Sequence, residues 1–161
     1  METEIITIEN PKENQVMIGQ GNFSIFATDE IFRSLLTCAP QIKAAVAMNE
    51  AVPKLTRVTG NSDELKDLTA KNCLKIGAGH VFVIMMDNAF PVNVLPVLKA
   101  HSCVANLYVA SANPIQVIIA KTDLGKAILG VVDGADATAI ENDTQKAERR
   151  ELVAKIGYDV P

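Results

Sequence analysis

Two histidines are the side chains in this sequence that are best suited to proton transfer or nucleophilic chemistry near neutral pH. His80 lies in the stretch GAGHVF, after two glycines that permit close approach of the backbone and directly before an apolar run. This setting suits proton transfer or nucleophilic chemistry, although a histidine held by backbone contacts in a tight turn has the same pattern. His101 follows a predicted helix in LKAHSCV, where it would favour the negative end of the helix dipole. We therefore take His80 as the candidate catalytic residue and interpret His101 as structural.

Three polar clusters follow apolar runs and could form the walls of a binding cleft. They are QGNF, MNEA and MDNAF, and ligands of open α/β sheets favour the crevice beyond the strand ends. Amide side chains suit a neutral heterocycle, a phenylalanine ring can stack on it, and carboxylates can accept hydrogen bonds from ribose hydroxyls. Arg57, in LTRVTGN, is the best single candidate to meet a phosphate, although each of these residues alone also suits a turn or a solvated charge. The predicted ligand-binding residues are Gln20, Gly21, Asn22, Phe23, Asn49, Glu50, Arg57, Gly79, Asp87, Asn88 and Phe90.

No familiar nucleotide-binding or hydrolase motif is complete in this sequence. The nearest approach to a Walker A loop is AKTDLGKA, residues 120–127, but Ala120 replaces its first glycine and Ala127 replaces its hydroxyl residue. We therefore interpret Lys126 as a surface charge. A G-x-S-x-G elbow and an H-E-x-x-H helix are also missing, so an enzyme with this sequence would belong to an unusual class.

The stretch GQGNFS begins like a dinucleotide fingerprint and then departs from it. Ser24 stands where the third glycine is expected, and Thr28, the predicted cap of the next helix, lies too far along for the glycines to open that helix. We predict instead a tight turn that brings the backbone and the Asn22 amide close to a ligand.

The helix predicted before His80 opposes an anion at this loop. It begins near residue 61 and ends at Gly77, so the negative end of its dipole points toward GAGHVF. Other groups must compensate for that field if a phosphate binds here.

Strands and helices are interspersed along the chain. We predict strands over 4–9, 15–19, 42–48, 80–86, 105–111, 115–121 and 127–132, the first two of them paired as a hairpin around the turn 10–14. Helices are predicted over 29–38, 61–77 and 143–157, and Pro91 opens another whose regularity Pro96 interrupts. The pattern indicates an α/β fold, a single-domain layered sandwich over 1–161 with a mixed β-sheet and flanking helices.

Composition and charge describe an ordinary globular protein. A chain of 161 residues with 48% hydrophobic residues suits one domain, and a net charge of −4 gives no support for nucleic-acid binding. No apolar run approaches the ~20 residues that span a bilayer, and METEIITIENPKEN lacks the positive charge of a secretory signal. Cys38, Cys73 and Cys103 form no C-x-x-C pair, which favours reduced thiols and indicates no metal site. We expect a cytoplasmic protein with no nucleic-acid or membrane partner.

Five long blocks occur in an order that resembles a known family. They are GQGNFSIFATDEIFRSLL, AAVAMNEAVPKLTRVTGN, KIGAGHVFVIMMDNAFPVNVL, ANPIQVIIAKTDLGKAILGVVDG and KIGYDVP. Together they resemble the adenosine-specific kinase family, small archaeal and bacterial proteins that are also described as adenosine/AMP kinases. The resemblance runs from about residue 16 to the C-terminus and is far more specific than any short motif.

The resemblance implies a single domain that self-associates into a homo-oligomer and recognises adenosine or AMP. It also implies a phosphorylation-linked histidine, which matches His80 here, and hence phosphoryl transfer to or from adenosine. Arg57 would then balance the charge on the phosphoryl oxygens. The alternative is a non-catalytic adenosine/AMP sensor or carrier, which needs the same cleft but no reactive histidine. No motif identifies a cofactor or the phosphoryl donor.

Overall fold

The structure is a computed structural model that describes residues 1–158 of the chain. The end of the KIGYDVP block, residues 159–161, therefore lies outside the described residues. Within residues 1–158, no helix combines the length and the apolar character needed to cross a membrane. The elements are β1 Glu2–Thr7, β2 Gln15–Gly21, α1 Ser24–Leu36, β3 Lys43–Asn49, β4 Thr56–Gly60, α2 Asp63–Ile76, β5 Val81–Asp87, α3 Pro91–Ala100, β6 Val104–Ser111, β7 Ile115–Lys121, β8 Lys126–Asp133 and α4 Asp143–Lys155.

The elements form three layers around a central five-stranded sheet with the strand order β4-β3-β5-β2-β6. Helices α1 and α3 pack on one face of this sheet. Helix α2 and a three-stranded sheet, with the order β1-β7-β8, cover the other face. The predicted α/β class and the layered arrangement are therefore confirmed.

The position of β5 at the centre of the sheet explains why its residues from Val81 to Met86 are all apolar. Its odd-numbered residues from Val81 to Met85 face α2 and the three-stranded sheet, while its even-numbered residues from Phe82 to Met86 face α1 and α3. All pairings between the strands described in residues 1–158 are antiparallel, so two antiparallel sheets replace the mixed pairing that we expected. A continuous apolar run reports burial on both faces, and the covering layers supply that burial here without parallel strands.

The hairpin predicted for the first two strands is wrong. Strand β1 pairs with β7, whereas β2 lies between β5 and β6 in the other sheet. The polar turn is present, and the Asn10 side chain closes it by accepting a hydrogen bond from the Asn14 backbone N–H at 2.9 Å. This turn carries the chain from one sheet to the other, because a local turn signal does not specify the partner of each strand.

Helix α1 begins earlier than the sequence predicted. Its first residue is Ser24, directly after Phe23 in the left-handed conformation (φ 55°), and Thr28 is buried inside the helix instead of capping it. The distance argument against a fingerprint-like start was therefore wrong, since the GQGNF stretch does open this helix.

Close packing accounts for the two glycines of GQGNF. A Cβ at Gly19 would overlap the ring of Phe82, and a Cβ at Gly21 would lie 2.8 Å from the Met48 side chain and 2.9 Å from the Cys103 carbonyl. Packing against neighbouring residues therefore requires glycine at both positions, and no bound phosphate is needed to explain their spacing.

Candidate functional site

The structure distributes the predicted site residues over two opposite ends of the five-stranded sheet. We call the end where β2 and β3 finish and β5 begins the His80 edge, and the end where β5 finishes the Asn88 edge. The residues at the His80 edge are Gln20, Gly21, Asn22, Phe23, Asn49, Glu50, Arg57, Gly79 and His80. The residues at the Asn88 edge are Asp87, Asn88 and Phe90.

Antiparallel pairing is the reason for this separation. Strand β5 runs opposite to β2 and β3, so QGNF and MNEA lie beside its start while MDNAF lies at its end. Seven residues of strand span about 20 Å. Within one chain, Asp87, Asn88 and Phe90 therefore do not share a cleft with His80, and the expectation of one cleft bordered by all three polar clusters is corrected.

His80 joins the ends of three strands through its backbone. Its N–H donates to the Asn49 carbonyl at 3.0 Å, and its carbonyl accepts from the Gly21 N–H at 2.8 Å. The residue is half-buried, and its ring has no hydrogen-bond partner among residues 1–158. These backbone contacts fix the position of His80 and leave its ring nitrogens available.

Left-handed backbone is concentrated at the His80 edge. Phe23, Lys54 and His80 have φ angles of 55°, 69° and 56°, although none of them is glycine. Each such residue costs roughly 1–2 kcal/mol, and strain of this kind clusters at functional sites. The surrounding hydrogen bonds hold His80 in this conformation, which supports a functional role for the edge.

Asn49 connects several segments of the His80 edge through its side chain. Its Nδ2 donates to the carbonyls of Cys73 at 2.9 Å and Ala78 at 3.0 Å, and its Oδ1 accepts from the Thr56 hydroxyl at 2.7 Å. The residue is buried. Asn49 therefore ties the end of α2 and the loop before His80 to β3, and both of its amide N–H groups are used within the protein.

Glu50 and Arg57 form an ion pair beside Asn49. The Glu50 side chain is only 5% exposed, and its Oε2 lies 2.7 Å from Arg57 Nη2 and 2.8 Å from Arg57 Nε. The Arg57 side chain is 41% exposed, so part of the guanidinium still reaches solvent. Glu50 orients Arg57 and neutralises most of its charge, which limits the free charge that Arg57 offers to a phosphate.

The other predicted residues of the His80 edge differ in their availability. Gln20 donates to the Gly79 carbonyl at 3.2 Å, and Asn22 donates to the Ser102 carbonyl at 3.3 Å. Phe23 is 58% exposed and stacks on Phe26 with ring centroids 5.6 Å apart. An exposed, stacked ring of this kind is available to a flat heterocycle.

A cavity of about 780 Å³ opens at the His80 edge, between the end of α2, the loop after β3 and the turn between β7 and β8. Its volume suits a small-molecule ligand. Among its lining residues are Asn49, Glu50, Lys54, Gly79, Thr122 and Lys126.

Sequence reasoning missed Lys54 and the β7–β8 turn as walls of this cavity. Lys126 was interpreted as a surface charge, but its side chain is only 31% exposed and lines the cavity. The signal lay in AKTDLGKA, which is not a Walker loop but a hairpin turn with a hydrogen bond from the Thr122 N–H to the Gly125 carbonyl at 2.8 Å. No local pattern in the sequence brings this turn next to α2.

Two nearby side chains are structural. Burial raises the pKa of the Cys73 thiol to about 12, so this residue remains protonated and is not a nucleophile near neutral pH. His101 ends α3, and its Nδ1 accepts from the Cys103 N–H at 3.1 Å, in agreement with the structural role inferred from the sequence.

The polar groups of the Asn88 edge are used in local turns and in one contact to the loop between α1 and β3. Asp87 accepts from the Asn88 N–H at 2.8 Å, and the Asn88 side chain donates to the Gln41 carbonyl at 3.1 Å. The Phe90 N–H donates to the Asn93 side chain at 2.8 Å at the start of α3. These contacts close a turn and begin a helix.

Comparisons with known proteins agree with the fold. The family model described as "Adenosine specific kinase" matches residues 6–159. The crystal structure of the PH1918 protein from Pyrococcus horikoshii OT3 is 60% identical to the chain, covers 99% of both chains and superposes with a TM-score of 0.94. The search of curated proteins found no match. Since the family match spans nearly the whole chain, this protein belongs to the adenosine-specific kinase family.

Proposed function

We propose that the chain binds adenosine or AMP at the His80 edge and transfers a phosphoryl group to or from adenosine through His80. The family match supports the adenosine-related kinase activity. The observation that carries the role of His80 is its strained, half-buried backbone next to Gly79, which lines the cavity, together with a ring that no residue in the range 1–158 hydrogen-bonds.

The proposed transfer proceeds in two steps. A ring nitrogen of His80 attacks the phosphorus of a donor, so a P–N bond forms while the P–O bond of the donor breaks. A ribose hydroxyl of adenosine then attacks the phosphorus, so a P–O bond forms while the P–N bond breaks. The freed imidazole takes the hydroxyl proton, and the product is AMP. Arg57 gives the phosphoryl oxygens only limited charge balance, because its ion pair with the buried Glu50 already neutralises most of its charge.

A labelling experiment tests the role of His80. The protein is incubated with a radiolabelled phosphoryl donor such as ATP and then treated with acid, which hydrolyses phosphohistidine. We expect acid-labile label on the wild type. The control variant His101→Gln should also acquire it, because His101 is a structural residue at the end of α3. His80→Gln is expected to lose the label entirely, and label that persists on His80→Gln would contradict the proposal.

The second candidate is a non-catalytic adenosine or AMP sensor or carrier. It is favoured by the absence, within residues 1–158, of any side chain that orients the His80 ring, since activated histidines are normally held by a partner. A sensor would bind adenosine in the same cavity, acquire no acid-labile label, and bind equally well after His80→Gln.

We also propose that the chain forms homo-oligomers in the cytoplasm. The outer face of the three-stranded sheet exposes Ile5, Leu129 and Val132, and α4 buries none of its residues within the described chain. Unpaired cysteines are compatible with a reducing compartment. Sedimentation equilibrium would show a mass above that of one chain if this face is covered by another copy, and a monomer mass would contradict self-association.

A further inference from the structure

The cavity at the His80 edge carries two lysines that the proposed chemistry of His80 does not use. Lys54 lies in the loop between β3 and β4, and Lys126 is the first residue of β8. They are far apart in the sequence, yet both line the same cavity as Asn49 and Gly79.

Lys126 lies where the field of α2 is negative. A Cβ placed on Gly77, the residue that ends α2, would lie 3.2 Å from Lys126 Cδ, so the aliphatic part of this lysine runs along the helix end. A cation near a helix C-terminus offsets the partial negative charge of the free carbonyls. The objection that α2 repels an anion from this loop is therefore met by Lys126.

The unmatched charge of the cavity is positive. Glu50, which also lines it, is neutralised by Arg57. Lys126 Nζ lies 3.5 Å from Glu4 Oε2, and Lys121 is closer to the same oxygen at 3.1 Å. The Glu4 carboxylate is therefore shared between two lysines and balances only part of the positive charge of Lys126. Lys54 has no ion-pair partner among residues 1–158.

We infer that Lys54 and Lys126 bind the phosphate of AMP, while the remainder of the cavity binds the nucleoside. This inference rests on the proposed function, because it assumes that the cavity takes adenosine or AMP. Lysine ammonium groups bind phosphate oxygens as flexible point charges. The two lysines would therefore determine how strongly the protein prefers AMP to adenosine, and they would leave the binding of adenosine itself unchanged.

Calorimetric titration of AMP and of adenosine into matched variants tests this assignment. Lys54→Gln and Lys126→Gln are each expected to weaken AMP binding about five- to tenfold, and the double variant more, while the adenosine affinity stays within about twofold. Lys146→Gln, on the exposed helix α4, is the control and should change neither affinity. Lys54→Arg and Lys126→Arg keep the charge and should keep most of the AMP affinity.

The outcomes separate this inference from the proposed function. If the Lys→Gln variants weaken AMP and adenosine equally, or weaken neither, the phosphate assignment is wrong while adenosine recognition stands. Binding of adenosine without AMP to the wild type would also overturn it. If the wild type binds neither compound, the proposed function itself fails. Circular dichroism confirms that each variant is folded, and higher ionic strength should weaken AMP binding in the wild type far more than in the double variant.

Discussion

The His80 edge and the Asn88 edge lie at opposite ends of one sheet and resemble each other in composition. Each follows or precedes β5, and each contains a residue in the left-handed conformation, His80 at one end and Asn88 at the other. At the Asn88 edge, the Asp87 side chain accepts from the Asn88 N–H, and the Asn88 side chain donates to Gln41 in the loop between α1 and β3. At the His80 edge, the His80 ring and the Lys54 ammonium have no such partner within residues 1–158, and a cavity lies beside them.

The difference shows which polar strand ends indicate a site. Asparagine adopts left-handed backbone readily, so Asn88 is an ordinary turn residue. Phenylalanine and lysine do so at a cost, and Phe23 and Lys54 lie at the same edge as His80. A polar residue at a strand end therefore points to function when its backbone is strained and its side chain is unsatisfied.

The largest expected effect is on the free energy of unfolding, and it distinguishes a residue that supports the His80 edge from one that supports the Asn88 edge. Asn49→Ala removes three hydrogen bonds and leaves two carbonyls without their partner, so we expect a loss of about 3 kcal/mol in the free energy of unfolding and of adenosine binding with it. Asn93→Ala, at the Asn88 edge, removes two exposed hydrogen bonds and should cost about 1 kcal/mol with no change in adenosine affinity. Urea unfolding and calorimetry measure both quantities, and equal losses at the two edges would remove the distinction.

A smaller effect tests the strain at the His80 edge. His80→Gly relieves roughly 1–2 kcal/mol of left-handed strain, and the added entropy of the unfolded state costs about 0.5–1 kcal/mol. The expected net change in the free energy of unfolding is therefore a gain of about 0–1.5 kcal/mol. The same variant should lose all acid-labile label. Asn88→Gly should gain nothing, because asparagine tolerates this backbone and its hydrogen bond to Gln41 is lost. A His80→Gly variant that is less stable than the wild type in thermal unfolding would argue against stored strain.

The sequence predicted most of the elements, because their signals are local, but it missed the short strand β4, Thr56–Gly60, which contains a single aliphatic residue, Val58. VFVIMM is a strand because its residues are apolar at every position, and α2 ends at Gly77 because glycine takes the left-handed C-terminal position at no cost. His80 stood out because two glycines and an apolar run surround it. These are properties of a short stretch, and tertiary structure did not override them.

The pairing of distant segments was not predictable in the same way. Strand β1 meets β7 more than 100 residues later, and Lys126 reaches the His80 edge only because the β7–β8 turn packs beside α2. Apolar patterning indicates that a strand is buried, but it does not identify the partner strand or whether the two strands pair parallel or antiparallel. The Asn88 cluster was misplaced for this reason, because the C-terminal ends of two strands lie at the same edge of a sheet only if the strands run parallel.

A titration of adenosine followed by backbone amide NMR shifts tests the central claim most directly. The claim is that the ligand binds at the His80 edge and not at the Asn88 edge. The account predicts the largest shifts at Asn49, Gly79, His80 and Gly125, with Asp87, Asn88 and Phe90 unmoved. Shifts concentrated at the Asn88 edge, or no shifts at saturating adenosine, would contradict it.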